Sequence, residues 1–295
     1  MRFIALLWLL LPLVSLAQTT IKISTLYPPG SSPVTSLQHL AAELSEQTSG
    51  ELRLKVYPGG VMGDDNTVMR KIRIGQLQGA LVSASTLEAL NLKVGELSRP
   101  FQYDTLEQVY SDRAELDNLF RERLQEQGWQ GFGPLDGGFS YLMSKQPIDS
   151  MAALRNAKLW LPNTASIQQM TRELDVNYLV MNIGDVLTGL DTGAIDTLIA
   201  PPSAALTLNW HSRFSYFTQT PVIYTWGMLV LPEKVSAKLS EQHQQLLRTS
   251  LTNWASQLDA NLRGSNQNAL EAIATLLESQ PFEVSDIKQL RLSQR

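Results

Sequence analysis

Thr20-Ile21-Lys22-Ile23-Ser24-Thr25-Leu26-Tyr27-Pro28-Pro29-Gly30 is the stretch on which the reading of the fold turns. Side chains alternate from Thr20 to Leu26 with the period of a half-buried strand. Tyr27-Pro28-Pro29-Gly30 stops it, because proline offers no N–H to a ladder and glycine turns the chain. Leu37, Leu40, Ala41 and Leu44 then recur at helical spacing up to Gly50. Leu52-Arg53-Leu54-Lys55-Val56-Tyr57 alternates again and ends at Pro58-Gly59-Gly60. A second helix is expected over about 65–74 with Gly75 as its stop, and 79–82 is a short apolar strand. Strand, helix, strand, helix, strand in this order marks a mainly parallel sheet with helices on its faces, an α/β fold.

Working outward, the middle of the chain repeats the theme. Phe139-Ser140-Tyr141-Leu142-Met143, Lys158-Leu159-Trp160-Leu161, Tyr178-Leu179-Val180-Met181 and 195–199 read as strands. Helices are expected over 166–174 and 183–190, the second stopped by Gly193. Ile74-Gly75 precedes the strand that reaches Leu81, and Thr192-Gly193 precedes the one that reaches Ile199, which suggests two similar lobes. An apolar strand returns at 224–231. From Ser240 to about Leu277 the chain reads as helix, with Leu246, Leu247, Leu251, Trp254, Leu258 and Leu262 near helical spacing.

Composition narrows the function. The 295 residues include 24 Lys+Arg, 28 Asp+Glu, 3 His and no Cys, a net charge of −4. Without thiols there is no disulfide, no cysteine nucleophile and no Cys-ligated metal. Without a basic surplus, nucleic-acid binding is not expected. Charged residues make up 18%, below the roughly 25% usual for soluble domains. Met1-Arg2, the apolar run from Phe3 to Val14 and the small residues of Ser15-Leu16-Ala17 read as an export signal, 1–17, cleaved after Ala17. The run is shorter than the roughly 20 residues of a membrane helix. The absence of Cys at the cleavage point argues against a lipoprotein. The expectation is a soluble periplasmic protein.

No catalytic constellation assembles. His39, His211 and His243 lack metal-ligand spacing, and no Gly-x-Ser-x-Gly elbow occurs. Gly59-Gly60 and Gly137-Gly138 lack a phosphate-loop lysine and read as turns. Asp64-Asp65 sits at a helix start, where the macrodipole favours carboxylates without any function. No enzyme, cofactor or metal is expected.

The order of segments resembles one family, the substrate-binding proteins of TRAP (tripartite ATP-independent periplasmic) transporters of dicarboxylate type. The residues that carry it are Tyr57-Pro58-Gly59-Gly60-Val61-Met62-Gly63-Asp64-Asp65, then Ile74-Gly75-Gln76-Leu77-Gln78-Gly79-Ala80. Lys145-Gln146-Pro147-Ile148-Asp149-Ser150-Met151 and Lys158-Leu159-Trp160-Leu161-Pro162-Asn163 continue it, as do Leu190-Asp191-Thr192-Gly193-Ala194-Ile195-Asp196 and Lys238-Leu239-Ser240-Glu241-Gln242. The resemblance implies a two-lobed periplasmic-binding-protein fold, type II-like, closing on a small ligand, with integral membrane transporter subunits as partners. The lobes are expected at 18–142 (with a return strand about 228–250) and 143–227, with C-terminal helices over 240–295 packing across both.

The resemblance also implies a ligand-clamping arginine in a Lys-Ile-Arg-Val-Pro-like strand. Here that position is Trp160. A second arginine of the pattern falls on Ser140, and an Asp-Gly-Gln-Glu-Asn-Pro-like run reads Asp196-Thr197-Leu198-Ile199-Ala200-Pro201. An organic acid buried without its cation faces a cost of several kcal/mol, whereas tryptophan offers an apolar face and one N–H. The expectation is a cleft for an apolar or amphipathic ligand walled by Trp160; the other reading is that Trp160 fills the cleft and no small molecule binds. Tyr27, Ser83, Ser140, Asn163, Ile199, Trp210, Tyr224 and Trp226 complete the candidate ligand set, although ordinary core packing is the simpler account of each aromatic taken alone. Arg99 and Arg155 read as solvated surface. Two functions follow: a solute receptor feeding a membrane transporter, or an adaptor on the same fold for a lipid-transport or efflux-type assembly.

Overall fold

A computed structural model describes residues 18–90, 93–162 and 165–282. The opening strand is β1 (Thr19–Thr25), with Ile21 and Ile23 fully buried. Helix α1 (Ser32–Gln47) starts with Pro33 in its first turn, where a missing N–H is no loss. Its Val34, Leu37, Leu40 and Leu44 face inward, each burial stabilising by about 1.5–3 kcal/mol. Next come β2 (Leu52–Tyr57), α2 (Asp65–Arg73) and β3 (Gly79–Ser83). Strand β1 runs parallel to both β2 and β3. The Thr67 N–H donates to the Asp64 carboxylate at 2.8 Å and caps α2.

Helices α3 (Ala84–Ala89) and α4 (Leu106–Glu126) lead to β4 (Trp129–Ser144). The apolar pattern does not foretell α4, because its inward positions Val109, Arg113, Phe120 and Leu124 include a charge. Then follow α5 (Met151–Asn156), β5 (Leu159–Trp160), α6 (Ala165–Leu174), β6 (Tyr178–Leu179), α7 (Val186–Thr192) and β7 (Thr197–Ala200). Gly193 caps α7 in the left-handed region at φ 72°. The chain continues through α8 (Pro202–Thr207), β8 (Tyr216–Thr218), β9 (Ile223–Pro232) and α9 (Glu233–Ser236). It ends in the 36-residue α10 (Glu241–Leu276) and β10 (Glu278–Gln280).

The strands lie in the order β2-β1-β3-β9-β4-β7-β5-β6, with β8 beside β4 and β10 beside β8. Parallel pairs dominate toward both ends, and β9 and β4 run antiparallel to their neighbours at the centre. Strand β4 pairs with β9 up to Ser140 and with β7 from Tyr141, so one strand serves both lobes. The expected boundaries at 142/143 and 227/228 thus fall inside β4 and β9. The returning strand ends at Pro232 rather than reaching 250, and residues 241–250 are helical. Gly137-Gly138 is a bulge in β4 rather than a turn: the register shifts between Asp136 and Gly138, and Gly138 adopts φ 74°.

Three apolar clusters form the core. One joins the sheet to α1 and α10 through Ile21, Leu37, Leu229 and Leu251. A second runs unbroken from Val68 and Leu87 in the first lobe to Trp160 and Trp210 in the second. A third, with Leu142, Leu159 and Ile199, belongs to the second lobe. Helix α10 packs on α1, β4 and α8, which braces both lobes. No described helix is long and apolar enough to cross a membrane.

Candidate ligand-binding site

Trp160 lies on β5 between β6 and β7 and is only 3% exposed. Alternation along the strand sends Leu159 and Leu161 into the core of the second lobe and Trp160 into the cluster that spans both lobes. Its Nε1 donates to the Met181 carbonyl at 3.2 Å. The Trp210 ring meets it edge-on, with centroids 5.4 Å apart and planes at 71°, an arrangement favoured by the ring quadrupoles. The indole's one polar handle is therefore spent on the protein's own backbone. Helix α6, which follows this strand, packs against α3 of the first lobe.

The first lobe carries a polar group of side chains at one end of its sheet. It is built at the carboxyl ends of β1 and β3, where ligands gather in open α/β sheets. Ser83 Oγ lies 3.5 Å from Asp65 Oδ2, 2.9 Å from Ser85 Oγ and 3.1 Å from Thr86 Oγ1. The Thr86 hydroxyl also donates to Asp65 Oδ2. Burial holds the Asp65 carboxyl above its ordinary range, although the Thr86 and Ser83 hydroxyls pull the other way. The Tyr27 phenol is pushed up by burial, then by the charges of Asp136 and Asp65. No Lys or Arg pairs with Asp65 among the described residues.

Other expected residues sit elsewhere. Tyr224 and Trp226 are buried on β9, in the same apolar cluster as Trp160. The Tyr224 hydroxyl donates to Asp136 Oδ2 at 2.8 Å, and burial and the Asp136 charge lift its pKa well above the usual value. Trp226 stacks on Phe120 at 5.1 Å. Ile199 takes the opposite face of its sheet from Trp160, in the core of the second lobe, because its neighbours Leu198 and Ala200 take the Trp160 face. Ser140 is buried in β4 opposite Ile223, alternating with Phe139 and Tyr141. Asn163 lies outside the described residues. Arg155 donates to the Leu174 carbonyl through Nε (3.3 Å) and Nη2 (3.1 Å), closing the end of α6.

Sequence reading did not foresee a buried ion network beneath the crossing strands. The Arg113 guanidinium donates to Asp259 (2.9 Å), Asp117 (3.1 Å) and the Pro134 carbonyl (2.9 Å), with Asp136 at 3.9 Å. Arg263 holds Asp259 from the far side at 2.7 Å, and Asn266 donates to Asp136 at 2.8 Å. The network ties α4, β4, β9 and α10 into one unit.

Residues 23–294 match the model of the bacterial extracellular solute-binding proteins, family 7. The chain belongs to this family. The sialic acid-binding periplasmic protein SiaP of Vibrio cholerae is 23% identical over 239 residues, 80% of this chain and 74% of SiaP. Two solved TRAP periplasmic solute-binding proteins share the fold. One, from Citrobacter koseri with bound D-glucuronate, superposes with a TM-score of 0.83 at 20% identity, covering 94% of this chain and 93% of its own. The other, from Haemophilus influenzae with bound L-gulonate, gives 0.82 at 16% identity, covering 94% and 92%. The expected two-lobed α/β architecture and the TRAP resemblance are both borne out. Both of these bound molecules are acids.

Proposed function

We propose that this chain is a periplasmic solute receptor that captures a small, apolar or weakly charged organic molecule between its lobes and delivers it to membrane transporter subunits. Trp160 carries the reading. Its indole fills the place of a carboxylate clamp, packs on Trp210 and spends its N–H on Met181. A carboxylate brought there would lose its hydration without gaining a bidentate partner, so the acids held by the relatives suit this cleft poorly. An apolar wall with a few polar groups opposite is the ordinary make-up of a small-molecule pocket.

Native mass spectrometry of the protein drawn from its own compartment tests the proposal. A co-purifying neutral or amphipathic molecule, released on unfolding, is the expected result. Tight binding of a hexuronate to the native chain would overturn it. Trp160→Arg should confer binding of glucuronate or gulonate on a chain that otherwise ignores them.

A further inference from the structure

The second lobe encloses a pocket on the face of its sheet turned away from Trp160. Leu142, Leu159 and Ile199 line it from β4, β5 and β7, and Met170 and Leu174 line it from α6. No charged side chain lines it among the described residues. The space left open is about 20 Å³, room for a single water. One wall group is out of keeping with the rest. Phe217 pairs with Met143 and joins the cluster on the Trp160 side, so alternation along β8 turns Thr218 the other way, into the pocket. Thr218 is 2% exposed, and its Oγ1 has no hydrogen-bond partner among the described residues. Leaving a buried hydroxyl unpaired is costly. The Thr171 hydroxyl, also on the wall, is spent on the Ile167 carbonyl at 2.9 Å. A buried water needs two to four polar partners, and these walls are almost wholly apolar. An apolar guest with one hydroxyl meets both conditions.

Phe282 supplies the room for such a guest. Its ring lines the pocket and is buried in the second lobe's core. It follows β10, a three-residue strand that pairs along β8 with Gln280 opposite Thr218, and whose Glu278 and Ser279 are exposed. A segment with so few buried contacts opens at low cost, so this ring is the wall group most readily exchanged. We propose that the pocket is a second binding site, for an uncharged, ring-sized molecule with one hydroxyl, the phenol class. The guest takes the place of the Phe282 ring and its hydroxyl meets Thr218. Exchanging one ring for another leaves apolar burial nearly even, and the new hydrogen bond to Thr218 is the surplus. A charged guest would lose its hydration with no partner to replace it. The sheet separates this site from Trp160, and the proposal does not rest on the interlobe reading.

Two probes of one shape test the site by calorimetric titration of the full chain: 4-methylphenol and p-xylene, which differ by a hydroxyl in place of a methyl. The native chain should bind the phenol about fivefold more tightly than the xylene. Phe282→Ala removes the internal competitor and should tighten both by about tenfold, with Phe282→Leu giving a smaller gain. Thr218→Val should bring the phenol down to the level of the xylene. It should also raise the melting temperature of the empty protein, because it removes an unpaired hydroxyl at constant shape. Melting curves establish that each variant is folded, and Phe282→Leu carries the test if the alanine variant is not. No binding of the phenol to the native chain overturns the proposal, even where Phe282→Ala binds it, since that pocket would then be a product of the substitution. A phenol preference that survives Thr218→Val overturns the assigned class. Binding that neither position alters overturns the assignment to this pocket and leaves the receptor reading standing.

Discussion

Two sets of carboxylates are buried in this molecule, and they are treated differently. Beneath the crossing strands, Asp117, Asp136 and Asp259 are gathered around Arg113, with Arg263 and Asn266 completing their hydrogen bonds. At the carboxyl ends of β1 and β3, Asp65 has hydroxyls and no cation. The first set spends its charge internally, joining four elements that make up the junction between lobes. The second is held by the Ser83 and Thr86 hydroxyls.

The sharpest way to break the paired set is Arg113→Met, which conserves length and apolar bulk but removes the cation that Asp117, Asp136 and Asp259 share. Removing one partner of a buried pair destabilises by about 3–5 kcal/mol, and urea denaturation should show that loss. Trp160→Ala comes next. It empties the Trp210 contact and orphans the Met181 carbonyl, for a loss of about 3 kcal/mol read in the same denaturation series; a loss under about 1 kcal/mol would mean the ring is not packed as described.

Asp65→Asn should move stability the other way. The folded chain holds the Asp65 proton above its ordinary range, so this group stabilises the fold below the usual carboxylate pKa of about 3.9. That contribution is lost as pH rises through the raised folded value. At neutral pH the ionised group is then a burden, and its amide replacement should raise Tm by about 2–4 °C. The gain should shrink toward pH 4. Thermal melts of both proteins across that range check the sign, and a Tm that falls at neutral pH would place Asp65 with the paired set. Arg155→Ala should do least, within about 0.5 kcal/mol and without effect on ligand affinity.

Much of the architecture was legible because periodicity reports burial. Ile21 and Ile23, Leu37 and Leu44, Leu52 and Leu54 all face the core that their spacing implied. Helix α4 escaped because Arg113 occupies an inward position and breaks the apolar stripe; only three-dimensional pairing reveals that it is satisfied. The β4 bulge escaped because a Gly-Gly pair signals a turn more often than a kink in a strand. For the candidate site, the family motif pointed to Trp160 and the end of the third strand pointed to Ser83. It could not say that Ile199 faces away, since the phase of alternation in β7 depends on where the short strand starts. Asp65 was visible as a helix-start carboxylate, and that local explanation hid its turn toward Ser83 and Thr86.

Strand β4 carries one more consequence. Because the same backbone is in register with β9 up to Ser140 and with β7 from Tyr141, a codon lost or gained near this point cannot be absorbed by either lobe alone. A one-residue slip exchanges the two faces of a strand. Tyr141 and Met143 would trade places with Leu142 and Ser144, and the second lobe's core would be inverted relative to the first. Length variation among descendants of this chain should therefore collect in the connections between elements and spare residues 136–144, where the lobes share a single reading frame.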